Sequence, residues 1–431
     1  MSAAPAHAAA ASRGPGAPLL RTRLSVMMFL QFATWGAWVP LLGNHLTRLH
    51  FSGPQISEVY GTGALATMLA PLVAGQIADR WFSTERFLAA ANAAAAVLFW
   101  LAAAATRFEA VWGYAFAAML CFAPTLGLAN SLAMRNLPDP KHSFPRIRSF
   151  GTVGWIAAGM ALTAWFAFFP ARPLGDCLRA GAVFAAAHAA FALLLPGTPP
   201  MRDAPRRLAV GKALAMLRER SYAVFVALAF VLMCVLNFYY TFAGTFLEKG
   251  LHLAPAAVPA ALAVGQLAEI LTLMALPIVH RRLGTKATVA VGIAAWGLRY
   301  GAFVLGRPLA LVLGFQALHG VCFGFVFVVA MLYVDRIAPP DARASAQSFL
   351  SFVTYGAGMF AGSFVAAWAS RAAARPDGSL DFAALFRWPL LGSVAVLLVF
   401  LLAFRPRPEG DAVTAQAAPP PPPAAPATAT G

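Results

Sequence analysis

The chain has 431 residues, of which 60% are hydrophobic and 11% charged, and its mean hydropathy is +0.70; soluble domains carry roughly 25% charged residues, so a water-soluble globular protein is excluded and a membrane protein indicated. The net charge of +16 raises nucleic acid as a partner, but basic residues on a membrane protein chiefly mark topology, and no nucleic-acid partner is expected. The four cysteines, Cys121, Cys177, Cys234 and Cys322, form neither a disulfide framework nor a metal-ligand spacing, so no metal and no cofactor are expected.

Twelve apolar runs of 16 to 27 residues follow one another at 24–42, 56–77, 87–105, 110–134, 149–169, 180–195, 222–247, 256–279, 287–305, 308–334, 344–369 and 382–404. At 1.5 Å per residue each approaches or crosses a hydrocarbon core of about 30 Å. Helices are expected, because every backbone polar group must be satisfied within the lipid and the runs lack the alternation of barrel strands. The first run carries Gln31, Trp35 and Trp38 and has no clear cleavage site before it, which predicts a retained helix rather than a signal peptide. After the second run comes GQIADRWFSTER, with Gly75, Asp79 and Arg80. It resembles the Gly-x-x-x-Asp-Arg motif of the major facilitator superfamily, although the usual glycine after the arginine is missing. An Asp and an Arg at the ends of two helices can form ion pairs present in only one conformational state, which makes these three residues a candidate conformational gate; an ordinary basic turn is the alternative.

The longer loop 196–219, with the densest basic cluster, separates six runs from six. The expected organisation is a flexible tail at 1–23, a six-helix half at 24–195, a cytoplasmic linker at 196–219, a second six-helix half at 220–404 and a disordered Pro/Ala-rich tail at 405–431. With the N-terminus inside, 22 of the 32 Lys and Arg fall in cytoplasmic segments, nine fall outside, and Arg299 lies within a span. This asymmetry predicts that both termini are cytoplasmic. The expected fold is an all-α membrane protein with twelve transmembrane helices in two halves, with substrate held near the midplane between them.

Charge in lipid costs on the order of 2.5–3.5 kcal/mol at a helix centre, so a mid-membrane acid is a functional candidate by default. Of the sixteen acids only Glu269 is so placed, twelve residues before Arg281 and roughly 18 Å from that interface at the helical rise. Gln266, three residues earlier, shares its face. Burial favours the neutral form of a carboxyl and a nearby cation the charged form, so Glu269 is a candidate proton carrier; a structural carboxyl bonded to a neighbouring helix is the alternative. In the fifth run Arg148, Thr152 and Trp155 share one helical face, and Arg148 is either a site residue or an interfacial arginine reaching for phosphates. Asn237 and Tyr240 are three apart in the seventh run, where an aromatic belt also accounts for the tyrosine. His319 and Phe323 share a face of the tenth; His319 is either a structural histidine or a second proton-coupling group. Arg299 is expected to snorkel to the outer interface.

The stretches FLQFATWGAW (29–38), APTLGLANS (123–131), FPRIRSFGTVG (144–154), GQLAEILTL (265–273), AAWGLRYGAFVLG (294–306) and ARASAQ (342–347), in order from the first run to the eleventh, resemble the nucleoside:proton symporter family of the major facilitator superfamily. The resemblance implies substrate contacts at Arg148, Thr152, Trp155, Asn237, Tyr240, Gln266 and Phe323. It implies proton coupling through Glu269, with Arg148 and His319 as further candidates. Where the family has an aspartate after the aromatic of the tenth helix, this chain has Gly324. The expected function is proton-coupled nucleoside uptake by a monomer in the bacterial inner membrane, its partners being nucleoside, protons and the lipid bilayer. The absent aspartate leaves a carrier for a sugar or other polar metabolite as the alternative. An enzyme is not expected, since no His-Glu-x-x-His pattern or paired-acid constellation occurs at depth.

Overall fold

A computed structural model describes residues 17–73, 83–199, 214–339 and 343–405. Gly75, Asp79 and Arg80, much of the linker and nearly all of both tails lie outside the described residues. Within them helix covers some part of every one of the twelve apolar runs and no strand forms beyond an isolated bridge, Ala374 to Leu380. The helices are α1 (Ala17–Arg48), α2 (Gly53–Val73), α3 (Thr84–Ala104), α4 (Phe108–Asn136), α5 (Pro140–Phe168), α6 (Asp176–Ala192), α7 (Arg220–Thr245), α8 (Val258–Leu305), α9 (Leu309–Gln316), α10 (Leu318–Phe323), α11 (Val329–Ile337), α12 (Arg343–Ser351), α13 (Met359–Ala372) and α14 (Phe382–Ala403).

Nine helical stretches among the described residues are long and apolar enough to cross a membrane. One of these joins two runs, for α8 breaks at Gly284, where φ is 72° and ψ 174°. That is backbone which L side chains rarely adopt and glycine adopts freely. The break falls in the basic turn HRRLGTK, between the runs 256–279 and 287–305. Three π-helical segments, Phe246–Gly250, Gly324–Val328 and Phe352–Gly358, interrupt the later helices; such segments are frequent at functional sites. Polar caps start two helices. Glu219 accepts the N–H groups of Ser221 and Tyr222 at 3.2 and 2.9 Å to open α7, and Asp381 accepts from Ala384 at 3.0 Å to open α14. The latter bond holds the Asp381 carboxyl below the usual carboxylate range.

The helices pack in two groups. In the first, α1 lies against α5 and α6, α3 against α4 and α6, and α2 against α4; in the second, α8 lies against α10 and α14, and α7 against α13 and α14. The groups meet where α2 touches α13, α1 touches α7 and α5 touches α8. At the end of the bundle holding Arg48 the junction is polar. Asn44 on α1 donates to Glu248 Oε2 at 2.6 Å and to Gly244 O at 3.1 Å, and Arg48 pairs with Glu248 Oε1 at 3.2 Å. Large apolar side chains face outward, among them Phe168, Leu271, Met274 and Leu402. Outward apolar cover of this extent suits lipid as solvent and would be a liability in water.

Candidate functional site

The site starts from the pattern of α8. Leu267, Leu271, Met274 and Ile278 are all more than half exposed and recur at helical spacing, so they form one lipid-facing stripe. At 100° per residue Glu269 points to the opposite side, into the bundle, and Gln266 lies on the flank between. Two glycines let the neighbouring helix close on this face. A Cβ at Gly320 of α10 would come 2.5 Å from Glu269 Cα, and one at Gly265 would come 2.9 Å from His319 Cβ. With any larger residue there, α8 and α10 would stand apart.

Across the junction, α5 presents Arg148, Thr152 and Trp155, all half-buried. The Arg148 guanidinium lies over the Phe32 ring of α1 at 3.9 Å from its centroid, and Trp155 meets Trp35 edge to face at 5.9 Å. Arg148 is the one charged group that Glu269 interacts with among the described residues. The two do not form a direct ion pair within 4 Å; they attract across the line where α5 meets α8. Tyr355, in the π segment Phe352–Gly358, interacts with both charges, and Tyr240 of α7 with Glu269. Nothing in the sequence singled out Tyr355: it sits among small residues in FVTYGAG, and only the packing of the chain brings it to the pair.

The remaining expected residues divide. Phe323 is half-buried and lies next to His319, ring centroids 6.5 Å apart. His319 is buried, with one ring nitrogen 3.1 Å from the Gln266 amide and the other 2.7 Å from Arg299. Asn237 is also buried, and its amide is engaged within the protein. Nδ2 donates to Met359 O at 3.2 Å and Oδ1 accepts from Thr241 at 3.1 Å. In this structure the first of these bonds ties α7 to α13. Arg299 differs most from expectation. It is 0% exposed, and its guanidinium lies over Tyr239, Trp296 and Tyr300 at 4.3, 4.9 and 5.5 Å. Aromatic faces and a histidine lone pair compensate its charge in place, so it does not reach for the interface.

Gly324 opens the π segment that follows Phe323. A Cβ there would stand 3.4 Å from Thr272 Cγ2 and from Leu273 Cδ2, which lie one helical turn beyond Glu269. Among the described residues Glu269 is the one acid on this face of α8, and an acid at 324 would give it a neighbour.

A polytopic bundle in two helix groups, with a carboxylate and a guanidinium facing each other across the junction, defines a membrane transporter of the major facilitator class. The fold is shared with the POT family transporter PepTSo at a TM-score of 0.70 and 13% identity, over 90% of this chain and 97% of that one. Within the class, the chain belongs to the nucleoside H+ symporter family, which it matches over residues 19–409. It is 35% identical to YegT of Escherichia coli (strain K12) over 352 residues, 79% of this chain and 82% of that protein. Its structure is similar to that of the nucleoside transporter NupG, with a TM-score of 0.80 and 26% identity, over 90% of this chain and 99% of the other.

Proposed function

We propose that this protein takes up nucleosides together with protons by alternating access, as a twelve-span monomer in the bacterial cytoplasmic membrane with both termini inside. The observation that carries the reading is the Glu269 and Arg148 pair, placed across the α5–α8 junction with no other charge beside Glu269 among the described residues. Trp155 and Phe323 supply aromatic faces for the base, an interaction worth about 1–3 kcal/mol per base in nucleic-acid complexes. Gln266, Thr152 and Tyr240 supply hydrogen bonds in exchange for those the solute leaves in water.

Coupling follows from magnitudes. Unit charges 4 Å apart attract by about 4 kcal/mol at an effective dielectric of 20, and this pair is farther apart, so less is available. Protonating Glu269 removes that attraction between the helix groups. Moving a two-state equilibrium from 1:99 to 99:1 takes about 5.5 kcal/mol, more than the proton supplies. Substrate contacts must furnish the rest, and so the two cargoes move together. Glu269 rather than His319 takes the proton in this scheme, since both His319 ring nitrogens are occupied by Arg299 and Gln266. The link from Asn44 and Arg48 to Glu248 closes the outer end in this state, and Gly75, Asp79 and Arg80 are assigned to the opposite gate. The alternative cargo suggested by Gly324, a sugar or other polar metabolite, is not favoured, because the family match runs through the site-bearing helices.

The direct test replaces Glu269 by Gln. In proteoliposomes the variant is expected to exchange labelled uridine across the membrane but not to concentrate it under an inward proton gradient. Retained accumulation would move the proton elsewhere.

A further inference from the structure

The proposed function leaves Arg299 unused. It is a cation 0% exposed and bonded to no acid among the described residues. We propose that Arg299 is a positioning residue which, through His319, fixes the Gln266 amide so that Gln266 meets the nucleoside as a hydrogen-bond donor. The inference rests on the nucleoside reading of the same site.

The argument is one of donors and acceptors. A guanidinium has only N–H donors. Arg299 Nη1 lies 2.7 Å from His319 Nδ1, so Nδ1 must be the ring nitrogen with the free lone pair, and the single ring proton is on Nε2. Nε2 is 3.1 Å from the Gln266 amide nitrogen as the amide is placed, which would set two N–H donors against each other. A donor there requires an acceptor, so this end of the amide is the carbonyl oxygen; amide orientation is assigned from such networks. The Gln266 NH2 is then turned away from His319. Its complement on the substrate is an acceptor, such as a base carbonyl, a ring nitrogen or a sugar oxygen.

The chain is held at each link. Tyr300 donates to Val235 O at 2.6 Å and Trp296 Nε1 to Cys322 O at 3.2 Å, which fixes two of the rings around Arg299. Tyr239 is bonded by Gln316 and stacks on the His319 ring, centroids 5.1 Å apart at 29°. The imidazole is thus held by the Tyr239 face and by its bond to Arg299, and its Cβ stands against α8 at Gly265. Free rotation of Gln266 would let it offer either end, and an unmatched buried group weakens binding. A fixed amide discriminates where a free one does not.

The test is labelled uridine uptake into proteoliposomes by the wild type, His319→Leu, His319→Gln, Gln266→Ala and the double variant His319→Leu/Gln266→Ala. His319→Leu is expected to raise KM about five- to tenfold, the worth of one hydrogen bond, with maximal rate within about twofold of wild type. His319→Gln is expected to restore KM, since its oxygen can accept from Arg299 while its NH2 donates to Gln266. With Gln266→Ala already present, His319→Leu should add nothing, because the effect runs through that side chain. Should His319→Leu not assemble, His319→Gln decides: a KM near wild type supports the relay, and one as high as in Gln266→Ala overturns it. Wild-type KM in His319→Leu, or additive effects in the double variant, overturns the inference and leaves the transport reading intact. A wild type that takes up no nucleoside overturns both.

Discussion

Position 324 shows how much one side chain decides. With glycine there, Glu269 has no second carboxylate beside it among the described residues, so in the proposed scheme the site holds one proton per cycle. Gly324→Asp would place an acid against Thr272 and Leu273, whose side-chain ends stand 3.4 Å from a Cβ and can give way. Two interacting carboxyls titrate as a pair. The rate of uridine uptake against proton concentration is therefore expected to steepen, its apparent order rising from about one towards about two; an unchanged slope would separate position 324 from the proton step. Gln266, Glu269 and Arg148 stood out in the sequence because charge and amide in an apolar run need a reason. Arg299 did not disclose its place, since the rings that hold it come partly from α7 and its histidine from α10. Asn237 stood out for the same reason as Gln266. The difference lies in the carbonyl of Met359, 122 residues away, which takes its N–H.

Among the elements, α8 and α10 are as close as backbones allow, and Gly320 is the cause. Gly320→Ala would put a methyl group 2.5 Å from Glu269 Cα, where only a shift of one helix relieves it. Maximal uptake is expected to fall by about tenfold or more, the effect of roughly 1.4 kcal/mol on a rate, while the variant still reaches the membrane; full activity would show that the close approach is dispensable. The link between α1 and α7 is a second such element. Glu248→Gln removes the charge that Arg48 holds and weakens the Asn44 bond. In a background without the four native cysteines, a cysteine at position 241 should then react several-fold faster with a membrane-impermeant maleimide added outside. Position 241 is buried against Gly43 in this state, and an unchanged rate would remove the link from the gate. Helix at each apolar run was legible from hydropathy alone. The π segments and the α1–α7 link were not, because Glu248 reads as an ordinary residue at a helix end until Asn44, 204 positions away, is folded onto it.

At the scale of the whole molecule, Glu269 and Arg148 face each other where the two helix groups meet at α5 and α8, and in the proposed scheme it is their separation that transport requires. Attraction between Glu269 and Arg148 is too weak for the proton alone to switch the molecule and strong enough to matter once substrate is bound. Obligatory coupling is the consequence. The family membership makes a nucleoside the cargo to try first. The measurement that bears most directly on this is labelled uridine accumulation by wild-type protein in proteoliposomes, with an inward proton gradient imposed and then collapsed by a protonophore. The account predicts uptake above the external concentration while the gradient lasts and release when it collapses. Equilibration to the same level with and without the gradient would contradict it.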